Sequence, residues 1–274
     1  MNIGPDTRKK AFRLLKKLLL VAIGVSLFLA MVPVVHSKPV STDSYKGFIW
    51  HCNHPDKTPE NIFSTIIKIK AGTGISGCED AFASLKKKTF FVMRFAGISS
   101  LVPFKEFTWI TDLSLGGNEI DDISPLKNLA NLRKLNLGGY LGGNHIKNLN
   151  PLKKLTSLEE LTLNRNQIRD LSPLQNLSNL KVLDLSRNNI TNLQPLAKLT
   201  SLTELNLWSN RIRDLSPVSG LQKLTELNLN NNLISDISPL KDLKSLEKLW
   251  LRHNHIRNFK PVEHLQGIKL FLRD

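Results

Sequence analysis

The sequence predicts an α/β solenoid of about eight coils, stacked so that their short strands make one parallel sheet. Three observations carry the prediction. An asparagine returns every 22 residues at Asn144, Asn166, Asn188, Asn210, Asn232 and Asn254, with Asn118 a further 26 residues upstream. Leucines and isoleucines hold a fixed register around each of them. A Ser-Pro pair recurs at Ser124-Pro125, Ser172-Pro173, Ser216-Pro217 and Ser238-Pro239. A period of roughly 20 to 29 residues with apolar positions locked to it marks leucine-rich repeats.

Residues Leu158 to Leu177 show what one coil contains. The Leu161-x-Leu163 alternation predicts a strand with one buried face, because successive side chains point to opposite sides. Asn166 falls among leucines, and a buried amide is costly unless hydrogen-bonded. The recurring asparagines are therefore expected to bond the backbones of adjacent coils and to carry no chemistry. Ser172-Pro173 predicts an N-cap hydroxyl with proline at the first helical position, hence a short helical or 3₁₀ return segment. A preceding column of Asp122, Asn148, Asp170, Asn192, Asp214, Asp236 and Asn258 is expected to hold local backbone N–H groups. A degraded coil precedes these, with Phe91, Met93, Ile98, Leu101, Phe104, Phe107 and Ile110 in the apolar positions and Ala96 in place of the asparagine. The coils span residues 89–264, and the segment from Lys269 to Asp274 reads as a closing strand, giving a repeat domain over 89–274.

The repeat L-x-x-L-x-L-x-x-N-x-I-x-D-L-S-P-L-x-x-L resembles the 22-residue class found in bacterial internalins and in a eukaryotic regulatory subunit of protein phosphatase. The resemblance implies a right-handed horseshoe whose parallel sheet lines the concave face, where such proteins bind other proteins. Internalin-like proteins are secreted or surface factors, and the phosphatase subunit is intracellular.

The front of the chain favours export. Basic residues run through 8–17, followed by an apolar run from Leu18 to Val35 and a small-residue site at Val35-His36-Ser37. That is the layout of a signal peptide over 1–37, with an uncleaved anchor through 18–35 as the competing reading. Either places the repeats outside the cytoplasm, secreted, periplasmic or at the cell envelope. Cys52 and Cys78, the chain's two cysteines, then read as one disulfide. Thr58-Pro59-Glu60-Asn61 opens a helix carrying Ile62, Phe63, Ile66, Ile67 and Ile69. Residues 38–88 thus form a disulfide-containing N-terminal cap, which a solenoid needs over its first coil. The Trp50-His51-Cys52-Asn53-His54 cluster is assigned to the cap and not to a metal, and Gly72 to Gly77 lacks the ending of a phosphate loop.

No Ser/His/Asp arrangement, metal motif or carboxylate pair departs from the repeat register, so the sequence points to a binding scaffold without catalysis or cofactor. The concave positions toward the C-terminal end are Glu204, Asn206, Trp208; Glu226, Asn228, Asn230; and Lys248, Trp250, Arg252. Trp208 and Trp250 stand out, because tryptophan with arginine and asparagine is typical of interface hot spots. Gly138 to Gly143 supplies four extra residues, with Tyr140 and Leu141 at the tip of a second candidate binding loop. The chain carries +15 overall; removing the six basic residues and one acidic residue of 1–37 from its 38 and 23 leaves +10 from residue 38 onward. Such a surface suits an anionic glycan or a membrane surface, while the concave face is expected to hold a protein partner. Export and the lack of a basic-aromatic platform argue against nucleic acid. A lectin-like module is the second reading, an intracellular enzyme-regulatory subunit the third, and a monomer is expected.

Overall fold

The computed structural model describes residues 47–265 and 269–271. Nine three-residue strands form one sheet in chain order: β1 Phe90–Val92, β2 Asp112–Ser114, β3 Lys134–Asn136, β4 Glu160–Thr162, β5 Val182–Asp184, β6 Glu204–Asn206, β7 Glu226–Asn228, β8 Lys248–Trp250 and β9 Lys269–Phe271. Every neighbouring pair is parallel. The central leucine of β2 to β8 points inward, so Leu113, Leu135, Leu161, Leu183, Leu205, Leu227 and Leu249 pair in one buried row. The four additional residues before Asn144 do not disturb this register: Lys134 faces Glu160 and Asn136 faces Thr162. The candidate signal or anchor over 1–37 lies outside the described residues. Among the described residues no helix is long and apolar enough to cross a membrane.

The asparagines form a continuous ladder. Asn188 donates through Nδ2 to the carbonyls of Leu163 and Leu185, one in the preceding coil and one in its own. Its Oδ1 accepts from the backbone N–H of Ile168. Asn144, Asn166, Asn210, Asn232 and Asn254 repeat the arrangement. Asn118 starts it by accepting from Ala96 and Ile98. Each buried amide is thereby satisfied at both ends, the condition for keeping it among leucines.

The return segments are 3₁₀ turns except the last, the short α-helix Lys260–Glu263, but the serine acts differently from expectation. In Ser172–Leu174 the N-cap is Leu171 and makes no side-chain cap bond, which moves the proline one position into the turn. The Asp170 carboxylate instead accepts from both the backbone N–H and the hydroxyl of Ser172. Asp122, Asp214 and Asp236 do the same to Ser124, Ser216 and Ser238. A carboxylate two residues upstream closes an Asx turn and takes the acceptor role an N-cap hydroxyl would otherwise fill. Asn148, Asn192 and Asn258 make the backbone half of this arrangement.

The cap consists of α1 Phe48–Asn53, α2 Glu60–Ala71 and α3 Cys78–Leu85. A disulfide joins Cys52 at the end of α1 to Cys78 at the start of α3. Phe48 stacks on Phe82, and both pack against Phe107 of the first coil. Phe91 and Phe104 close on Phe107 from below. Phenylalanine replaces leucine at these positions, where the coil meets the aromatic side chains of the cap. Glu106 accepts from the Phe48 N–H, and a side chain at Gly47 would collide with that carboxylate. Cap and coils belong to one compact unit beginning at Tyr45. His51 and His54 are used locally, Nδ1 of the first against Thr58 Oγ1 and of the second against the Trp50 carbonyl.

Candidate functional site

Because strands alternate, the first and third residues of β1 to β8 face solvent and line up in columns across the coils. The register gives one column of Val182, Glu204, Glu226 and Lys248, and a second of Asp184, Asn206, Asn228 and Trp250. Trp208, Asn230 and Arg252 follow two residues beyond their strands. A cleft of about 310 Å³ opens between β4 and β8, lined by Val182, Asp184, Glu204, Asn206, Glu226, Asn228 and Trp250 among others. Six of the nine concave residues read from the sequence are thus brought around one groove or its rim: Glu204, Asn206, Glu226, Asn228 and Trp250 line it, and Lys248 reaches Glu226.

Electrostatically the groove is acidic. Glu226 forms an ion pair with Lys248, and that hydrogen bond raises the lysine pKa. Glu204 has no ion-pair partner among the described residues. Burial pushes the Asp184 carboxyl up, although its Oδ1 accepts from the Ser186 N–H. The basic balance of the whole chain is therefore not repeated here.

Trp208 does not line the groove. It is half-buried, and the guanidinium carbon of Arg187 sits 4.1 Å from its ring centroid. Its backbone N–H is held by Asn206 Oδ1. Asn230 accepts from the Arg252 N–H through Oδ1, tying the last two coils together along this edge. Tyr140 and Leu141 project from the tip of their loop, 82% and 83% exposed. Asn164 holds that loop by donating to the Gly139 carbonyl. A Cβ at Gly138 would lie 1.8 Å from Asn164 Oδ1, so the loop requires its glycine there.

Sequence reasoning passed over two features. Arg187 carried no sign of its role, since all the sequence shows is that it precedes a ladder asparagine. Its backbone is left-handed, φ 54°, which swings the side chain onto the sheet edge. Phe90 and Val92 flank the inward Phe91, and the same two-residue alternation that exposed the other columns exposes them too.

The leucine-rich-repeat family model, described as Leucine Rich repeats (2 copies), matches residues 140–176, 178–220 and 222–265. No curated protein matches the chain. Among solved structures, an internalin C2 from Listeria monocytogenes is 36% identical, with 75% of this chain and 90% of the other covered and a TM-score of 0.69. An internalin, InlF, from the same species is 29% identical over 74% of this chain and 79% of its own, with a TM-score of 0.37. An array of this type is in general a protein-interaction scaffold. On its repeat register and its likeness to internalin C2, the chain belongs to the internalin family of leucine-rich-repeat proteins.

Proposed function

We propose that this chain is an exported, non-enzymatic scaffold that holds a protein partner on the concave face, with a basic side chain of the partner seated in the groove beside Trp250. The observation that carries the reading is the composition of the groove. One indole and three carboxylates, Asp184, Glu204 and Glu226, line it, and Lys248 pairs with Glu226 alone. An aromatic face next to carboxylates is a receptor for lysine or arginine, by cation–π attraction and charge-assisted hydrogen bonding. Export is supported by the apolar run of Leu18 to Val35 and by the cap disulfide, a bond that persists in oxidising compartments. The same bond speaks against the intracellular regulatory reading.

Asn206 and Asn228 beside Trp250 favour a second reading, a neutral sugar stacked on the indole with its hydroxyls on the two amides. Capture of proteins from medium and envelope extracts separates the two when wild type is run beside Trp250→Ala and Glu204→Lys. Both substitutions are expected to abolish capture of a protein partner. Loss with Trp250→Ala alone, together with a signal on a neutral glycan array, would favour the sugar. Capture undiminished in both variants would remove the groove from the interface.

A further inference from the structure

We infer that the open edge of β1 is a second docking site, one that takes an extended acidic-apolar segment of a partner protein as an added strand. Among the described residues β1 is the first strand of the sheet and pairs with β2 alone. In the parallel ladder Met93 donates to Ser114, while Thr89 accepts from Asp112, so the odd-numbered residues spend their backbone groups on β2. The N–H and C=O of Phe90 and Val92 point the other way, and no described group bonds them.

The side chains on this edge are as unusual as its backbone. Phe90 is 61% exposed and Val92 63%, on a face where the equivalent residues in the next coil are Asp112 and Ser114. Phe95, also exposed, lies against Gly117, where a Cβ would come within 2.3 Å of its ring. Five of the six exposed large hydrophobics among the described residues, Phe90, Val92, Phe95, Tyr140 and Leu141, fall in the first three coils. An exposed apolar strand edge is an aggregation hazard unless charges guard it or a partner covers it.

The charges choose the occupant. Arg94 follows Val92 in the even-numbered series, and Lys86, Lys87 and Lys88 make the turn that leads into β1. Arg94 is held over the sheet by a 2.7 Å bond from Nε to Ser114 Oγ, and Lys88 reaches the Gly72 carbonyl of the cap. An antiparallel second copy would set Phe90 opposite the other Val92, a favourable pair, but would also bring Lys88, in the turn before β1, up to the other Arg94. Like charges directly opposed on a strand pair are destabilising. The edge therefore rejects its own copy and accepts a strand reading acidic-x-apolar-x-apolar-x-acidic. Main-chain bonds supply affinity and alternate side chains supply specificity, as in strand addition generally.

The probe is the labelled peptide SETVTVTES, followed by fluorescence anisotropy against the full chain. Saturable binding is expected, with SKTVTVTKS and the valine-free SETGSGTES each at least about tenfold weaker. Val92→Pro removes one outward N–H without touching a bond to β2, and it should abolish binding while keeping the melting temperature. If that variant fails to fold, Arg94→Glu serves: it should weaken the acidic peptide and strengthen the basic one. Trp250→Ala should bind the peptide normally, which keeps this site separate from the groove. No saturable binding, equal binding of all three peptides, or undiminished binding with Arg94→Glu would overturn the inference.

Discussion

Arg187 and Trp208 close on each other from adjacent coils: the guanidinium carbon lies 4.1 Å from the indole centroid, and the Arg187 N–H donates to the Trp208 carbonyl at 2.7 Å. The tryptophan that looks from sequence like a free anchor is therefore partly a staple between β5 and β6. Partly desolvated cation–π contacts are worth about 0.5 to 2 kcal/mol. Arg187→Ala should lower stability by about 1 kcal/mol in chemical denaturation and shift the tryptophan emission to the red. Unchanged emission would mean that the ring is already solvated.

The ladder predicts a position-dependent cost. Asn188→Ala strands the Ile168 N–H inside the solenoid and leaves the Leu163 and Leu185 carbonyls with one bond each, from Asn166 and Asn210, for about 1 to 3 kcal/mol. Asn254 makes the same bonds but is only half-buried, so water replaces part of what Asn254→Ala removes. The second substitution should cost no more than about half of the first. Urea midpoints of the two variants decide this, and equal losses would show that burial does not set the cost.

Left-handed backbone recurs one residue before the ladder: Phe95, Arg165, Arg187, Ser209, Asn231 and His253 all have φ between 53° and 58°. At Ser209 a β-branched replacement meets its own backbone, so Ser209→Val should destabilise by about 1 to 2 kcal/mol. Ser209→Gly should be neutral or slightly stabilising, because relief of strain offsets the added unfolded-state freedom. Thermal melts of the pair test it; equal effects would remove the backbone explanation.

Two carboxylates predict opposite pH signatures. Burial raises the Asp184 pKa above its ordinary value, so its ionised form opposes folding at neutral pH and protonation relieves the cost. Asp184→Asn keeps the turn acceptor, as Asn206 and Asn228 show in the next two coils. It should stabilise at pH 7 by about 0.5 to 1.5 kcal/mol. That gain should shrink as pH falls through the raised folded value. Glu159 runs the other way: hydrogen bonds from Lys181 and Arg133 push it down to about 2 from 4.5. Its contribution is present above pH 4.5 and is lost as pH falls toward 2. Glu159→Gln should be the less stable chain at pH 7 and converge with wild type in acid. Parallel pH curves for either variant would sink the corresponding assignment.

Most of the solenoid is legible because its periodic residues have a single physical use. Asn166 among leucines demands a ladder, and Leu161-x-Leu163 demands a one-sided strand. The capping role given to Ser172 was misplaced because its hydroxyl donates back to the Asp170 carboxylate, which also accepts the Ser172 N–H. Trp250 and its acidic neighbours follow from the register alone. The Arg187–Trp208 contact does not, since it depends on a left-handed residue whose side chain direction no 22-residue pattern encodes. Phe90 and Val92 were masked by their neighbours: a coil rich in inward phenylalanine makes an outward one look ordinary.

The loop at Gly138 to Gly143 changes the length of a coil and leaves its phase intact. Lys134 still meets Glu160, and Asn144 still takes its rung. The molecule counts turns and not residues, so the tip at Tyr140 and Leu141, between its flanking glycines, can be lengthened or given a foreign sequence while the strands on either side keep their places. It is the natural graft point of the array, where a new recognition element would ride on an unaltered frame.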